Sequence, residues 1–440
     1  MFKITTFVFL FSLTLVSNLL AEIKLPPVLD DNMILQRGKE IAVWGSSLAG
    51  EEITVSFAGE KVTTKADEKG NWKVALPAQK VNAKSQEMRI NNITLKNILI
   101  GDVWIGSGQS NMAWPLQQTD NSKEAIAAAK YPNIRLLNRN KDKAWSECNP
   151  ESVKQFSGVL YYFGRKLHKE LDVPIGLINA SVGGSPIETW LLKKGHHYNK
   201  FIKPLHDFPI KGFTWYQGET NAITKTGLAY YDKQKDLIEG WRNKWNDQSL
   251  PFYFVQIAPC NHPKYAGQQP AIWEAQCKSL SIPKTGMVVV TDIGNVKNIH
   301  PRNKLDVGER LARWALAKDY GKKVVFSGPL YKSMKISGSK IILSFEYTDG
   351  ELVSRDGKEL NEFQIAGDDG KYVPAKAEIR GDTVIVESAD IKKPKNVRFG
   401  WHQFANPNLM NKSGLPASPF HTDNWKGSLG FLKGKPTLQK

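Results

Sequence analysis

The chain has 440 residues, of which 41% are hydrophobic and 13 are tryptophan, and 60 Lys and Arg residues outnumber 43 Asp and Glu residues to give a formal net charge of +17. This apolar content excludes a disordered chain and predicts two or three domains around a large core. The positive charge favours acidic partners in general. No nucleic-acid partner is predicted, because the sequence has no basic run with interleaved aromatic residues, no zinc-finger spacing and no helix-turn-helix pattern.

Residues 1–21 have the pattern of a secretory signal peptide. A single cation, Lys3, precedes an apolar run that ends at the small residue Ala21. The run is a little short for a membrane span, and no stop-transfer charges follow it, which disfavours the alternative of an uncleaved anchor. We therefore predict a secreted or periplasmic protein that has no membrane association after cleavage.

Residues 22–97 predict an N-terminal β-sandwich domain. Polar and apolar residues alternate in EITVSF, KVTTK and NWKVALP, and the turn segments AGE and EKGN separate these runs. Alternation with period two is typical of strands that are packed on one side only.

Residues 98–324 change to an α/β pattern. Apolar strand segments, such as ILIGDVWIGSG, IGLINAS and GMVVVTDIG, alternate with segments of helical spacing, such as FSGVLYYFGRKLHKEL and KLDVGERLARWALAKDYG. Such alternation predicts a parallel sheet with helices on both faces. Residues 325–440 return to strand patterns, as in KIILSFEYTDGEL and DTVIVES, and predict a C-terminal β-rich region that packs partly back on the α/β domain.

The three cysteines, Cys148, Cys260 and Cys277, have no CxxC spacing and form no disulfide-rich framework. In an oxidising compartment Cys260 and Cys277 can pair and leave Cys148 free. The alternative is three buried thiols.

Polar and glycine residues follow the predicted parallel strands at the point where each strand ends. In an open parallel sheet these carboxyl ends share one rim, where active groups collect. The residues at this rim are Ser110 after VWIGSGQ, Gly183 and Gly184 after GLINA, Gln217 and Glu219 after GFTWY, and His300 after VVVTDIGNVKNI.

This set contains the parts of an acyl-transfer site: a nucleophile, a base and donors for an oxyanion. Ser110 is the candidate nucleophile and His300 the candidate base. The candidate oxyanion donors are the Ser110 amide, an amide of the Gly183–Gly184 pair and the side-chain amide of Gln217.

Asn111 and Glu219 are candidates for substrate binding or structural support. Each site residue has a structural alternative, since a serine in a glycine-rich turn or a buried polar side chain is common. Ser110 does not fit the G-x-S-x-G nucleophile elbow, which argues against an ordinary α/β-hydrolase. Because HExxH, P-loop and GxGxxG motifs are lacking, neither a metal nor another cofactor is predicted.

Four segments resemble the successive blocks of the sialate O-acetylesterases, which belong to the SGNH (GDSL-like) hydrolase superfamily. They are GQSNM at 108–112, GGSPIETW at 183–190, GFTWYQGETNA at 212–222 and IHPRNKLDVGERLA at 299–312. The resemblance implies an SGNH-type three-layer α/β/α domain. It also implies that Ser110 is the nucleophile, His300 the base and Gly184, or else Gly183, the oxyanion glycine, with Gln217 where the superfamily has asparagine.

Two departures from the family pattern leave alternatives open. The superfamily often places Asp three residues before the catalytic His, but this chain has Lys297 there. The nearest upstream carboxylate, Asp292, completes a Ser-His-Asp triad if the loop folds back; otherwise a backbone carbonyl orients the ring of a Ser-His dyad. The connection between Trp190 and Gly212 is also shorter than in larger family members, which leaves the sugar open.

The residues therefore predict a secreted serine esterase, and the resemblance implies that it removes O-acetyl groups from carbohydrates. Sialic acid is the first substrate, and acetylated xylan or another polysaccharide is the alternative. A non-catalytic glycan-binding protein built from the β regions is the competing class, and the presence of Ser110 and His300 argues against it. The sequence leaves the oligomeric state open.

Overall fold

A central, mostly parallel sheet organises the chain, which the computed structural model describes over residues 22–139, 144–265 and 267–424. The predicted signal peptide, residues 1–21, lies outside the described residues. The N-terminal strands are β1 (Ile34–Gln36), β2 (Ile41–Ser46), β3 (Glu52–Phe57), β4 (Glu60–Lys65), β5 (Asn71–Leu76), β6 (Asn82–Ile90) and β7 (Ile93–Gly108).

The central region alternates strands and helices, as its sequence pattern predicts. Its helices are α1 (Ser110–Ala113), α2 (Ser122–Ala127), α3 (Gly158–Leu171), α4 (Glu219–Ile223), α5 (Tyr230–Lys244), α6 (Gln269–Lys278) and α7 (Leu305–Asp319). Its strands are β8 (Tyr131–Asn138), β9 (Ser146–Cys148), β10 (Ile175–Ser181), β11 (Gly212–Tyr216), β12 (Phe252–Val255) and β13 (Thr285–Val288). Among the described residues, no helix combines the length and apolar character that crossing a membrane requires.

The central sheet has the strand order β13-β12-β11-β7-β10-β8-β9. Neighbouring strands run parallel except for the antiparallel edge pair of β8 and β9. Strand β7 lies between β10 and β11, so the chain builds the sheet on both sides of its first central strand. In such sheets a crevice forms at the carboxyl end of the strands where the order reverses, which here is the end of β7.

Aromatic side chains show that helices cover both faces of the sheet. Trp104 of β7 pairs with Gly212 of β11. Phe213 follows Gly212 in β11, so its side chain points to the face opposite that of Trp104. The Trp104 ring packs on Phe163 of α3 at 5.1 Å, and the Phe213 ring packs on Trp241 of α5 at 5.4 Å. Because α7 lies against α3 and α6 against α5, the predicted three-layer α/β/α arrangement is confirmed.

The boundary predicted between residues 97 and 98 falls inside strand β7. Its first half pairs with β1 and β6, and its second half pairs with β10 and β11. Val43 and Trp72, from the N-terminal strands, belong to the same buried apolar cluster as Trp104 and Phe213. The N-terminal β region and the α/β region therefore share one core and one continuous strand.

The C-terminal region is β-rich and has its own buried cluster, which includes Ile341, Val384 and Phe399. Two four-stranded antiparallel sheets, β14-β15-β20-β19 and β18-β17-β21-β23, accompany the pair β16-β22. These strands are β14 (Leu330–Ser337), β15 (Lys340–Glu346), β16 (Leu352–Ser354), β17 (Phe363–Ala366), β18 (Tyr372–Pro374), β19 (Lys376–Arg380), β20 (Thr383–Glu387), β21 (Asn396–Phe399), β22 (Leu409–Asn411) and β23 (Phe420–His421).

Polar contacts join the C-terminal region to the α/β region. The Gln256 amide nitrogen donates to Ser418 Oγ at 3.0 Å, and His421 Nε2 lies 2.9 Å from a Glu274 oxygen on α6. The cysteines take no part in covalent links, since Cys148, Cys260 and Cys277 are all free thiols. The pairing of Cys260 with Cys277 is not formed, and the alternative of three buried thiols holds for Cys148 and Cys260, while Cys277 is a half-buried thiol.

Candidate active site

Ser110 lies at the end of the central strand, where β7 gives way to the short helix α1. The turn requires glycine at position 108, because φ there is +129° and a Cβ atom would collide with the Tyr216 carbonyl oxygen of β11. The Gln109 N–H donates to that same carbonyl at 2.9 Å. The sequence at this turn thus holds Ser110 at the carboxyl end of β7, where the strand order reverses.

The structure brings Ser110 and His300 together, although 190 residues separate them in the chain. His300 Nε2 lies 2.8 Å from Ser110 Oγ, and both residues are half-buried. Burial lowers the pKa of His300, and the nearby Lys304 ammonium lowers that pKa further. The imidazole is therefore kept neutral at neutral pH, the state in which it can accept a proton from the serine hydroxyl.

Two contacts orient the His300 ring and backbone. The indole of Trp114 stacks on the imidazole, with ring centroids 4.7 Å apart and planes 22° from parallel. The backbone N–H of His300 donates to Asn298 Oδ1 at 2.9 Å. Sequence reasoning missed Trp114, although its position four residues after Ser110, in the turn that follows the same strand, is a signal that could have found it.

The structure does not bring Asp292 to His300. The two Asp292 oxygens accept from Arg310 of α7 at 2.7 and 2.6 Å, and Arg310 also donates to the Val289 carbonyl at 2.9 Å. Asp292 and His300 are both described, and no hydrogen bond joins them; nor does any described backbone carbonyl bond the His300 ring. Both Asp292 oxygens belong instead to a two-bond ion pair with the Arg310 guanidinium.

The Gly183–Gly184 loop faces the serine. A Cβ atom on Gly183 would lie 3.8 Å from the Cβ of Ser110, and Gly184 has a left-handed φ of +71°. The loop is fixed to the serine turn, since Val182 N–H donates to the Gly108 carbonyl at 3.0 Å. Within the described ranges, the N–H groups of Ser110, Gly183 and Gly184 have no acceptor. These amides are therefore available to an oxyanion.

The contacts of Gln217 do not favour a role as oxyanion donor. The side chain is fully buried, and its NH₂ group faces three acceptors: Gln109 Oε1 at 3.1 Å, the Ser185 carbonyl at 3.2 Å and Asn221 Oδ1 at 2.7 Å. Its own oxygen accepts from the Tyr230 hydroxyl at 2.6 Å. Two hydrogens shared among three acceptors leave no donor free, and the bond to Ser185 makes Gln217 a support of the glycine loop.

Asn111 and Glu219 contact each other and a lysine that sequence reasoning missed. Asn111 Nδ2 donates to Glu219 Oε1 at 2.5 Å, and Lys304 Nζ donates to Asn111 Oδ1 at 2.5 Å. All three are 0–1% exposed. Burial raises the pKa of Glu219 and lowers that of Lys304 to about 7. The signal for Lys304 was its place in IHPRNK, four residues after His300.

Metal binding has no donor set here: the described residues contain no group of three or more His, Cys, Asp or Glu side chains that could hold an ion. The chemistry that the arrangement offers is nucleophilic attack by a serine hydroxyl beside a neutral imidazole and unpaired amides.

Comparisons with known proteins agree with that chemistry. The sequence profile of the family described as "Carbohydrate esterase, sialic acid-specific acetylesterase" matches residues 100–317. A solved carbohydrate acetylesterase from Xanthomonas citri superposes with a TM-score of 0.86 at 37% identity, over 92% of this chain and 100% of that chain. The sialate O-acetylesterases of Homo sapiens and Mus musculus are 28% and 27% identical, over 89% of this chain and 91% and 93% of theirs. The chain therefore belongs to the carbohydrate esterase family of sialic acid-specific acetylesterases, and it is a carboxylic ester hydrolase for carbohydrate O-deacetylation.

Proposed function

We propose that the protein is a secreted serine esterase that removes acetyl groups from sugar hydroxyls through an acyl-enzyme on Ser110. The observation that carries the proposal is the 2.8 Å contact between Ser110 Oγ and His300 Nε2, beside a glycine loop whose amides have no acceptor among the residues that the structure describes. Secretion rests on the signal-peptide pattern of residues 1–21.

In the first half-reaction, Ser110 Oγ attacks the acetyl carbonyl carbon while His300 Nε2 takes the hydroxyl proton. The negative charge that develops on the carbonyl oxygen accepts hydrogen bonds from the Ser110 amide and from an amide of the Gly183–Gly184 pair, with Gly184 preferred. When the tetrahedral intermediate collapses, the imidazolium returns its proton to the departing sugar oxygen. The products are the free sugar hydroxyl and an acetylated Ser110.

In the second half-reaction, His300 takes a proton from a water molecule that attacks the acetyl-serine carbonyl. The same amides hold the oxyanion, the Ser110 oxygen leaves and regains its proton from the imidazolium, and acetate is released.

We propose that a Ser-His dyad performs these steps and that Trp114 takes the place of a triad acid. The face of an indole attracts a cation, so the Trp114 ring stabilises the imidazolium that forms in each half-reaction. The occupation of both Asp292 oxygens by Arg310 supports the dyad over the triad.

Sialic acid esters are the first substrate class, because the named relatives from human and mouse are sialate O-acetylesterases. Acetylated xylan or another polysaccharide is the second candidate. It is favoured by the relative of higher identity, which is described as a carbohydrate acetylesterase, and by the short connection between Trp190 and Gly212.

The test is acetate release from O-acetylated sialic acids, acetylxylan and acetylated pectin by the wild-type protein, Ser110→Ala and His300→Ala. The proposal expects release from at least one substrate by the wild type and none above background by either variant. Release by a folded Ser110→Ala protein at near the wild-type rate contradicts the mechanism.

A further inference from the structure

Three buried side chains that the proposed mechanism does not use form a hydrogen-bonded network beside the turn that carries Ser110. Lys304, at the N-terminal end of α7, donates to Asn111, and Asn111 donates to Glu219, at the start of α4. The exposed fractions of Lys304, Asn111 and Glu219 are 0%, 0% and 1%. Burying a lysine and a glutamate costs free energy, so the burial of this network needs a physical reason.

The side-chain amide of Asn111 ties the turn that carries Ser110 to the loop that carries His300, here called the base loop. Its Nδ2 group has a second acceptor, the Ile299 carbonyl at 3.0 Å, and Ile299 directly precedes His300. Only one orientation of the amide fits these neighbours, because its oxygen must face the Lys304 ammonium and its NH₂ must face two acceptors. The two charged residues therefore fix the orientation of the group that links Ser110 to His300.

Few charged groups face the network of Lys304, Asn111 and Glu219. Lys304 Nζ lies 5.4 Å from the centre of the Tyr216 ring, and Asp120, which also faces Lys304, is exposed and paired with Arg302 at 3.4 Å. Around Glu219 lie the neutral hydroxyls of tyrosines and one thiol, and its second oxygen, Oε2, has no described partner. The groups that face Glu219 are Tyr216, Tyr230, Tyr265 and Cys260. Glu219 is thus the buried counter-charge of Lys304, and Lys304 is the cation that acts on His300.

We propose that Lys304 and Glu219 are positioning residues for His300: through Asn111 they hold the loop that carries His300 against the turn that carries Ser110, and they keep a buried ammonium group on the same hydrogen-bonded network. The inference rests on the proposed Ser110–His300 mechanism. It assigns the Lys304–Asn111–Glu219 network a role beyond packing, because a network that served packing alone would not be expected to change the pKa of His300.

The electrostatics give the direction of each substitution. A positive charge disfavours the imidazolium, so removing it in Lys304→Met raises the pKa of His300. Glu219 raises the pKa of Lys304, which is about 7 in the intact protein. In Glu219→Gln, Lys304 therefore loses its proton over the mildly acidic range, and His300 is again relieved of repulsion. Both variants move the acid limb of kcat/KM to higher pH.

The experiment measures kcat/KM against pH for the wild type, Lys304→Met, Glu219→Gln and the double variant, with thermal unfolding to confirm that each is folded. We expect the acid limb to move up by about half a pH unit to one unit in each single variant. The double variant should show no larger shift than Lys304→Met, because both changes act through the same charge.

The matched control is Lys297→Met, which removes an exposed cation three residues before His300. Water screens that charge, so its acid limb should stay within about 0.2 unit of the wild type. Glu219→Gln preserves size and the acceptor for Asn111, and it decides the matter alone if Lys304→Met does not fold.

An unmoved acid limb in folded Glu219→Gln, or shifts that simply add in the double variant, overturns the inference. The proposed function fails separately, since it requires that Ser110→Ala and His300→Ala be inactive. Inactive Ser110→Ala and His300→Ala beside an unmoved limb would leave the Ser110–His300 mechanism standing and remove only the role of Lys304 and Glu219.

Discussion

Replacing Asp292 by asparagine distinguishes the dyad from the triad, because a triad predicts a large loss of kcat and a dyad predicts a loss of folding stability. If the carboxylate held the imidazole, Asp292→Asn would lower kcat by about 10⁴-fold, as the amide favours the wrong ring tautomer. In the structure Asp292 instead accepts from Arg310 at 2.7 and 2.6 Å, with side-chain exposures of 8% and 9%. We therefore expect kcat to fall less than about fivefold and the loss to occur in stability.

The size of that stability loss follows from burial. Removing one partner of a buried ion pair costs about 3 to 5 kcal/mol, and asparagine keeps one acceptor for the guanidinium, so we expect about 3 kcal/mol. Urea unfolding measures this change, and kcat is taken at a temperature where the variant is folded. Asp247→Asn is the matched control, since Asp247 pairs with Lys39 at 2.8 Å near the surface, where such pairs contribute about 0 to 1 kcal/mol. A folded Asp292→Asn protein that has lost about 10³-fold or more in kcat would refute the dyad.

Other substitutions and conditions test the remaining parts of the site. Ser110→Ala should lower kcat by about 10⁶-fold with unfolding unchanged, because the acyl-enzyme needs the hydroxyl; a burst of the released alcohol equal to the enzyme concentration should vanish with it. Trp114→Leu should lower kcat about tenfold by removing about 1 to 2 kcal/mol of imidazolium stabilisation, whereas Trp114→Phe should retain most activity; equal losses in both would assign Trp114 to packing alone. Because burial and Lys304 lower the pKa of His300, the acid limb of kcat/KM should lie below pH 6.5, the usual value for histidine; a midpoint above that value would contradict this environment. Treatment with EDTA should leave kcat unchanged, since no step of the proposed mechanism uses a metal, and a loss reversed by zinc would count against it.

Most of the fold could be predicted because local patterns determine its elements. The segment FSGVLYYFGRKLHKEL predicts a helix, and α3 spans Gly158–Leu171 because Ser157 Oγ accepts from the Leu160 N–H at its start. The sequence did not reveal that β7 continues through residue 97 into the N-terminal sheet. A strand that changes partners along its length leaves no mark in its own alternation, since each half simply packs against different neighbours.

Of the candidate site, the sequence could predict only the residues that follow the ends of the parallel strands. The pattern located Ser110, the glycine loop and His300 at one rim, because parallel strands end together. It could not identify the partners of individual side chains. Asp292 lies near His300 in sequence but pairs with Arg310 on α7. A lysine such as Lys304 is normally solvated, and its burial depends on how α7 packs against α3 and so brings Lys304 to Asn111.

The turn that carries Ser110 is fixed by both neighbours of strand β7, and this rigidity supports the proposal of a site that works without a triad acid. On one side Gln109 N–H bonds the Tyr216 carbonyl of β11, and on the other Val182 N–H, just after β10, bonds the Gly108 carbonyl. The third link, from Asn111 to the Ile299 carbonyl, joins this rigid turn to the base loop. A carboxylate in a triad both orients the imidazole and stabilises its charge. In the dyad that we propose the two tasks are divided: the Asn111 link and the Trp114 stack would supply the orientation, and the indole face would supply the attraction for the imidazolium.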